Sequence, residues 1–330
     1  MNPGQTMKFD NIFSQYAADL NLVEQSLRNI FSSDALVIPM IGEHILRGGG
    51  KRLRPLFLLL SADLAGYRGE KRITLAGIIE AIHTASLLHD DVVDGAEVRR
   101  GNIAAHQVWG NQIVILVGDF CYANALKLAV VQDDLRIIGA LSGAITSMTE
   151  GEIIQLNRVA DPGISLEEYY KIIASKTGAL ISAACRIGGI LGGLSPDRED
   201  ALGSFGMKTG IAFQMADDIL DYTADEKGLG KKLGKDLDEG KITLPLICLL
   251  RTVSAREKAE VSDIVRSDAL QDADLRRIIE LFEKYSVIEE SLRIAQHLVS
   301  EAQAELKVFP QSPEREALSG LADYALERKS

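Results

Sequence analysis

Two acidic clusters of identical spacing constrain this chain more than anything else in it. Leu87-Leu88-His89-Asp90-Asp91-Val92-Val93-Asp94 sets three acids at the end of an apolar run. Gln214-Met215-Ala216-Asp217-Asp218-Ile219-Leu220-Asp221 repeats the DDxxD spacing much later in the chain. On a helix, carboxylates four residues apart leave the same face, where like charges repel. Carboxylates beside buried surface are costly unless paired or bound to metal. One such cluster is ordinary at an acidic helix end, but two on apolar helical runs ask for a cation. Mg²⁺ takes oxygen ligands, keeps several waters and bridges carboxylates to substrate phosphates.

The remaining pattern is helical. Positions 8 to 47 show helical periodicity interrupted at Pro39, and Gly48-Gly49-Gly50 ends that segment. Residues 56 to 65 read as a buried helix and 74 to 94 as the helix carrying the first acidic cluster. Gly95 to Gly101 reads as a loop with Arg99 and Arg100. Two or three helices follow over 103 to 157. Ser165-x-x-Glu168 and Ser254-x-x-Glu257 are capping boxes, and Ser195-Pro196 opens a helix with Pro in its first turn. Gly188 to Gly193 marks a close backbone approach or a helix end. Residues 225 to 243 form a Gly- and Lys-rich loop, and 244 to 330 read as amphipathic helices. No alternating strand pattern is evident. The expectation is one all-α domain over 1–330, with roughly ten or more helices.

Composition narrows the function. A net charge of −11 argues against a nucleic-acid partner and means that an anionic substrate needs local cations. Cys121, Cys185 and Cys248 lie far apart in apolar runs, as buried reduced thiols do in a cytoplasmic protein. No uninterrupted apolar run reaches about 18 residues, so the chain reads as soluble. The cations sit where an anion would need them. Lys51 and Arg54 follow the triple glycine, Arg99 and Arg100 follow the first acidic cluster, and Lys231, Lys232, Lys235 and Lys241 follow the second. Arg grips phosphate bidentately and Lys supplies a point charge.

These pieces together resemble the trans-isoprenyl diphosphate synthases of the polyprenyl synthetase family. The resemblance rests on GGKRLRP at Gly49–Pro55, HTASLLHDDVVD at His83–Asp94, then Arg99-Arg100-Gly101 and Gly118-Asp119. It continues through Glu150-Gly151-Glu152, Lys176-Thr177, Phe213-Gln214, the second DDxxD, and GKKLGKDLDEGKITLP at Gly230–Pro245. Gly178 stands where the family usually has Ala, a change that lowers local helix propensity. The resemblance implies an isoprenoid-synthase fold around a central apolar cavity, a homodimer, and room for a transient membrane contact at product release. It implies a Mg²⁺ cluster on Asp90, Asp94, Asp217 and Asp221, with Asp91 and Asp218 in support. Arg99, Lys176, Lys231 and Lys241 would then hold an allylic diphosphate, and Lys51, Arg54, His83 and Arg100 isopentenyl diphosphate. Thr177 and Gln214 would lie beside the reacting carbons. His83 precedes Asp90 by seven residues, about 20° away on an ideal helix, which puts both on one face.

The reaction so implied is chain elongation. The allylic C–O bond breaks once its diphosphate is neutralised, isopentenyl diphosphate attacks the cation, and a proton leaves. Ala85 and Ser86 precede the first DDxxD where the family uses bulky aromatics to stop the growing tail. Both are small, which implies a long product made from farnesyl diphosphate, octaprenyl diphosphate for a quinone side chain. The wheel puts Ser86 about 40° from Asp90 and Ala85 about 140° away, so Ala85 rests on the resemblance alone. A short-chain (geranylgeranyl or farnesyl) synthase and an inactive regulatory subunit are the alternatives. A terpene cyclase would not explain the second DDxxD or GGKRLRP. Calcium binding would not explain the cations, and no EF-hand loop is present.

Overall fold

The structure, a computed structural model, describes residues 3–223, 233–267 and 269–327, with side chains from residue 11 onward. It is all-α apart from one hairpin of two-residue strands. Two compact units interleave along the chain. The first comprises 1–145, 183–203 and 309–318, and the second 146–182, 204–308 and 319–330.

The first unit is built around helix α4 (Lys71–Val93). It packs against α1 (Pro3–Ile30), α3 (Leu53–Leu64) and α6 (Asn111–Val130). From Leu75 to Ile82 every side chain of α4 is buried, as expected of a helix that is apolar all round. Glu80 falls within that run, and its charge is met by Arg52, whose Nη1 lies 2.9 Å from its carboxylate. Arg52 also reaches Glu24 of α1 at 2.9 Å. A second buried network joins Tyr16, which donates to Asp63 at 2.7 Å, with Arg72 and Asp19. The break expected at Pro39 falls earlier, over residues 31–36. Pro39 sits in the first turn of α2 (Val37–Arg47), where its missing N–H costs nothing.

The segment expected as a loop at Gly95–Gly101 contains a β-hairpin. Val98 pairs with Ile103 and Arg99 with Asn102, leaving Arg100-Gly101 as a two-residue turn. Both turn residues have positive φ, 51° and 78°, as a type I′ turn requires. After α5 (Ala105–Trp109), α6 is long and apolar enough to cross a membrane by length and composition, although a third of it is buried here. Its Asp119 and Lys127 are what kept it from reading as an uninterrupted apolar run.

The second unit takes in the end of α7 (Leu135–Leu156), α8 (Leu166–Ile173), most of α10 (Pro196–Thr223) and the helices that follow. Both expected capping boxes form, at Ser165/Glu168 and Ser254/Glu257. Between α8 and α9 (Ala179–Leu191) lies a π-helical turn, Ala174–Gly178, that carries Lys176 and Thr177. Such single turns concentrate at functional sites. Gly178 is a packing residue and not a weak point. A Cβ there would lie 2.5 Å from the sulfur of Met207, and one on Gly210 would lie 2.7 Å from the Gly178 Cα. In the first unit, Gly188 approaches Ser61 and Ala62 in the same way.

Candidate active site

In the first unit the DDxxD residues at the end of α4 differ in setting. Asp90 is half-buried, Asp91 is buried, and Asp94 is exposed at the helix C-cap. Asp91, expected only as a supporting acid, accepts from the Arg99 Nε at 2.7 Å. Arg99, expected on the allylic diphosphate, is thereby fixed beside the first acidic cluster. Arg100, at the hairpin tip, donates from its guanidinium to the Gly49 carbonyl. A Cβ on Gly50 would lie 2.9 Å from that guanidinium, so the triple glycine lets the backbone pass beneath it.

His83 sits among Arg52, Arg54, Arg99 and Arg100. Burial first, and those four cations next, hold its imidazole well below the ordinary range, so it is neutral at pH 7. Burial also lowers Arg100, with Arg52 and Arg99 adding to the effect. Guanidiniums gathered this closely have the charge and geometry to take an anion. Beside it lies a crevice lined by His44, Ile45, Leu87, Asp91, Arg99 and Arg100 among others. Lys51 is exposed just past the triple glycine. Of the two small residues, Ser86 keeps accessible surface and donates to the His83 carbonyl at 2.8 Å, while Ala85 is wholly buried.

The second unit holds a cavity of about 120 Å³ lined by Lys176, Gln214, Asp218, Lys241, Tyr169 and Asp236 among others. A chain of hydrogen bonds orients its wall. Thr177 donates to the Gln214 carbonyl oxygen at 2.8 Å, the Gln214 amide donates to Asp218 at 2.9 Å, and Tyr169 donates to the other Asp218 oxygen at 2.6 Å. Lys176 rests on Glu152 at 2.5 Å, and also donates to Gln155, while Lys241 rests on Glu239 at 2.7 Å. Burial pushes Asp218 up to about 6 and Asp236 up to about 8, the latter also repelled by Asp218 and Asp221. Asp221, expected as a metal ligand, accepts the amides of Lys235 and Asp236 at 3.2 and 3.1 Å and so anchors the segment after the second cluster. Asp217 is exposed. Lys231, with Lys232, lies outside the described residues.

Tyr169, Gln155, Asp236 and His44 were not expected. Tyr169 had a signal: it precedes Lys176 by seven residues, two near-full turns. Asp236 had one too, as an acid inside a Lys-rich loop. His44 had none, since its partners are distant in sequence. Among the described residues no three acids, histidines or cysteines gather as a metal cage. The donors present nevertheless fit Mg²⁺, which needs one or two carboxylates and completes its shell with water and phosphate.

A sequence profile described as Polyprenyl synthetase matches residues 37–282. The octaprenyl diphosphate synthase of Escherichia coli (strain K12) is 39% identical over 326 residues, covering 98% of this chain and 99% of that protein. A short chain isoprenyl diphosphate synthase of Methanothermobacter thermautotrophicus is 37% identical over 291 residues, 87% of this chain and 89% of that protein. A crystal structure of a polyprenyl synthase from Caulobacter crescentus CB15, complexed with calcium and isoprenyl diphosphate, superposes with a TM-score of 0.92. It is 39% identical and covers 98% of both chains.

The setting of His83 has a measurable consequence. Unfolded, this imidazole takes up a proton near pH 6.5, while folded it resists doing so. The unfolded state therefore binds more protons below pH 6.5, and stability falls as pH drops through that value. Urea unfolding at pH 7.5 and 5.5 should show wild type losing about 1 kcal/mol more than His83→Gln. Equal losses in the two proteins would remove His83 as the source.

Proposed function

The chain belongs to the polyprenyl synthetase family, and from that we propose that it is a long-chain trans-prenyl diphosphate synthase. It joins isopentenyl diphosphate to an allylic diphosphate, farnesyl diphosphate as primer, and repeats the step to an octaprenyl-type product. The observation that carries this reading is that each compact unit pairs a DDxxD helix with its own cations. A reaction that joins two diphosphate esters needs two anion sites. The interleaving of the units along the sequence supports treating 1–330 as one functional domain. The bound calcium and isoprenyl diphosphate of the Caulobacter relative support a divalent cation and a prenyl diphosphate here. The 39% identity to an octaprenyl diphosphate synthase over 98% of this chain supports the long product.

In this reading Lys51, Arg54, His83 and Arg100 hold isopentenyl diphosphate, and neutral His83 donates a hydrogen bond without adding to the crowd of cations. Lys176, Lys241 and Lys231 hold the allylic diphosphate, with Lys176 and Lys241 exchanging Glu152 and Glu239 for phosphate oxygens. Asp90, Asp94 and Asp217 would hold Mg²⁺, which when bound neutralises the departing diphosphate. Asp91 and Asp221 act behind them, one fixing Arg99 and the other the segment at Lys235. Thr177 fixes the Gln214 amide so that its dipole stays aimed while allylic charge develops. Ser86, which keeps accessible surface, lines the path of the tail. Ala85, wholly buried, acts only by the space it leaves.

The chain also presents an apolar stripe on α6, with Ile113, Leu116 and Phe120 three to four residues apart and Leu116 65% exposed. We read this face as the contact with a second copy of the chain.

Four outcomes test this function and the assembly proposed with it. Incubation with isopentenyl and farnesyl diphosphates and Mg²⁺ should give a linear polyprenyl diphosphate. Asp90→Ala or Asp217→Ala should cut turnover by roughly a thousandfold, about 4 kcal/mol of barrier; full activity in either variant, or in EDTA, would sink the metal assignment. Ser86→Phe should shorten the product sharply, as chromatography of the product will show, whereas unchanged length would take Ser86 off the tail's path. Light scattering should weigh two chains in wild type, and Leu116→Glu should shift the mass toward one; a monomeric wild type would dismiss the dimer.

A further inference from the structure

The isopentenyl site proposed above depends on a hairpin whose arginine side chains are fixed by Asp91 and the Gly49 carbonyl but whose backbone has little to hold it. Its strands are two residues each, and among the described residues no further strand joins them. An isolated two-stranded hairpin is marginal in water. Its tip residue, Arg100, sits at φ 51°, a left-handed conformation that crowds the Cβ of an L-residue against the backbone. Something outside the hairpin must therefore hold the strand backbone that carries Arg99 and Arg100.

His44 makes that connection. It lies on α2, one turn before the Gly48–Gly50 bend that leads to Lys51. Its Nε2 lies 2.8 Å from the carbonyl of Ile103, the last residue of the second strand. A carbonyl only accepts, so Nε2 carries the proton. The other side of the imidazole meets the edge of Trp109, centroid to centroid 5.1 Å at 78°, on the short helix that follows the hairpin. Asn102 and Arg100 close the contact from the hairpin side, each 3.4 Å from where a Cβ on Gly48 would stand. One side chain thus ties the helix before the glycine bend to the strand behind the arginine tip.

We infer that His44 is a positioning residue for the isopentenyl diphosphate site, setting the distance between the Lys51 bend and the Arg99–Arg100 hairpin through its bond to Ile103. It touches no substrate. It acts by keeping the two halves of the cradle in register before the anion arrives, which lowers the ordering cost of binding. The inference rests on the reading of this cluster as the isopentenyl diphosphate site.

Two substitutions separate the hydrogen bond from the packing. His44→Phe keeps a ring against Trp109 and deletes the donor, while His44→Gln keeps an N–H that reaches Ile103. Trp109 is the only tryptophan in the chain, so its emission reports directly whether that packing is intact. Steady-state kinetics should show His44→Phe with a KM for isopentenyl diphosphate raised about tenfold, as expected for one lost hydrogen bond. The KM for the allylic substrate and kcat should stay within about twofold. Calorimetric titration with isopentenyl diphosphate alone should show the same loss in Kd, and His44→Gln should recover most of it. If His44→Phe does not fold, His44→Leu serves the same comparison. A KM unchanged in the donor-less variant, equal rises for both substrates, or no recovery in His44→Gln overturns the inference. A wild type that binds no isopentenyl diphosphate overturns the site reading and this inference with it.

Discussion

Mutual repulsion among guanidiniums is the constraint on which the first unit depends. Arg52, Arg54, Arg99 and Arg100 crowd one imidazole in a chain whose overall charge is −11. Such a group persists only if each member is held from outside. Arg52 is held by Glu24 and Glu80, Arg99 by Asp91, and Arg100 by the Gly49 carbonyl. The carboxylates that hold Arg52 and Arg99 come from α1 and α4, whose packing the apolar core fixes. Core and site are therefore one construction: the helix that buries Leu75 to Ile82 also presents Glu80 and Asp91 at the heights the arginines require.

The second unit solves the opposite problem, an excess of acid. Asp218 is buried and Asp236 half-buried close to Asp221, and each is displaced upward from the usual carboxylate range. Neutral donors carry the load there. Tyr169 and Gln214 satisfy Asp218, and backbone amides satisfy Asp221. The π-turn at Ala174–Gly178 allows Thr177 to reach Gln214, and close contacts at Gly178 and Gly210 fix where that turn lies.

What was legible in the sequence was local or periodic. Capping boxes need only four residues, so Ser165/Glu168 and Ser254/Glu257 were readable. The all-α architecture follows from helical spacing, and the DDxxD pair from its repetition on apolar runs. The hairpin was not legible, because two-residue strands have no alternation to detect and Arg100 is a poor advertisement for positive φ. The partners of Asp91, Asp221 and His44 were hidden for a related reason. Each lies in a separate element or turn, and the sequence carries no mark of which acid meets an arginine and which meets an amide. Gly178 was misjudged because propensity describes an isolated helix, whereas this glycine answers to Met207 and Gly210.

The conformation of Arg100 carries a consequence for how this chain can drift. The first position of a type I′ turn favours glycine, asparagine or aspartate, and relief of the backbone there would firm up the fold by a small margin. Selection for robustness alone would therefore pull this position away from arginine. Selection for retaining a cation at the hairpin tip pulls the other way. A library screened for heat resistance would be expected to enrich Arg100→Gly while removing the cation from the hairpin tip. Thermal tolerance and a cation at the hairpin tip are thus opposed at a single codon, and the residue found there records which of the two prevailed.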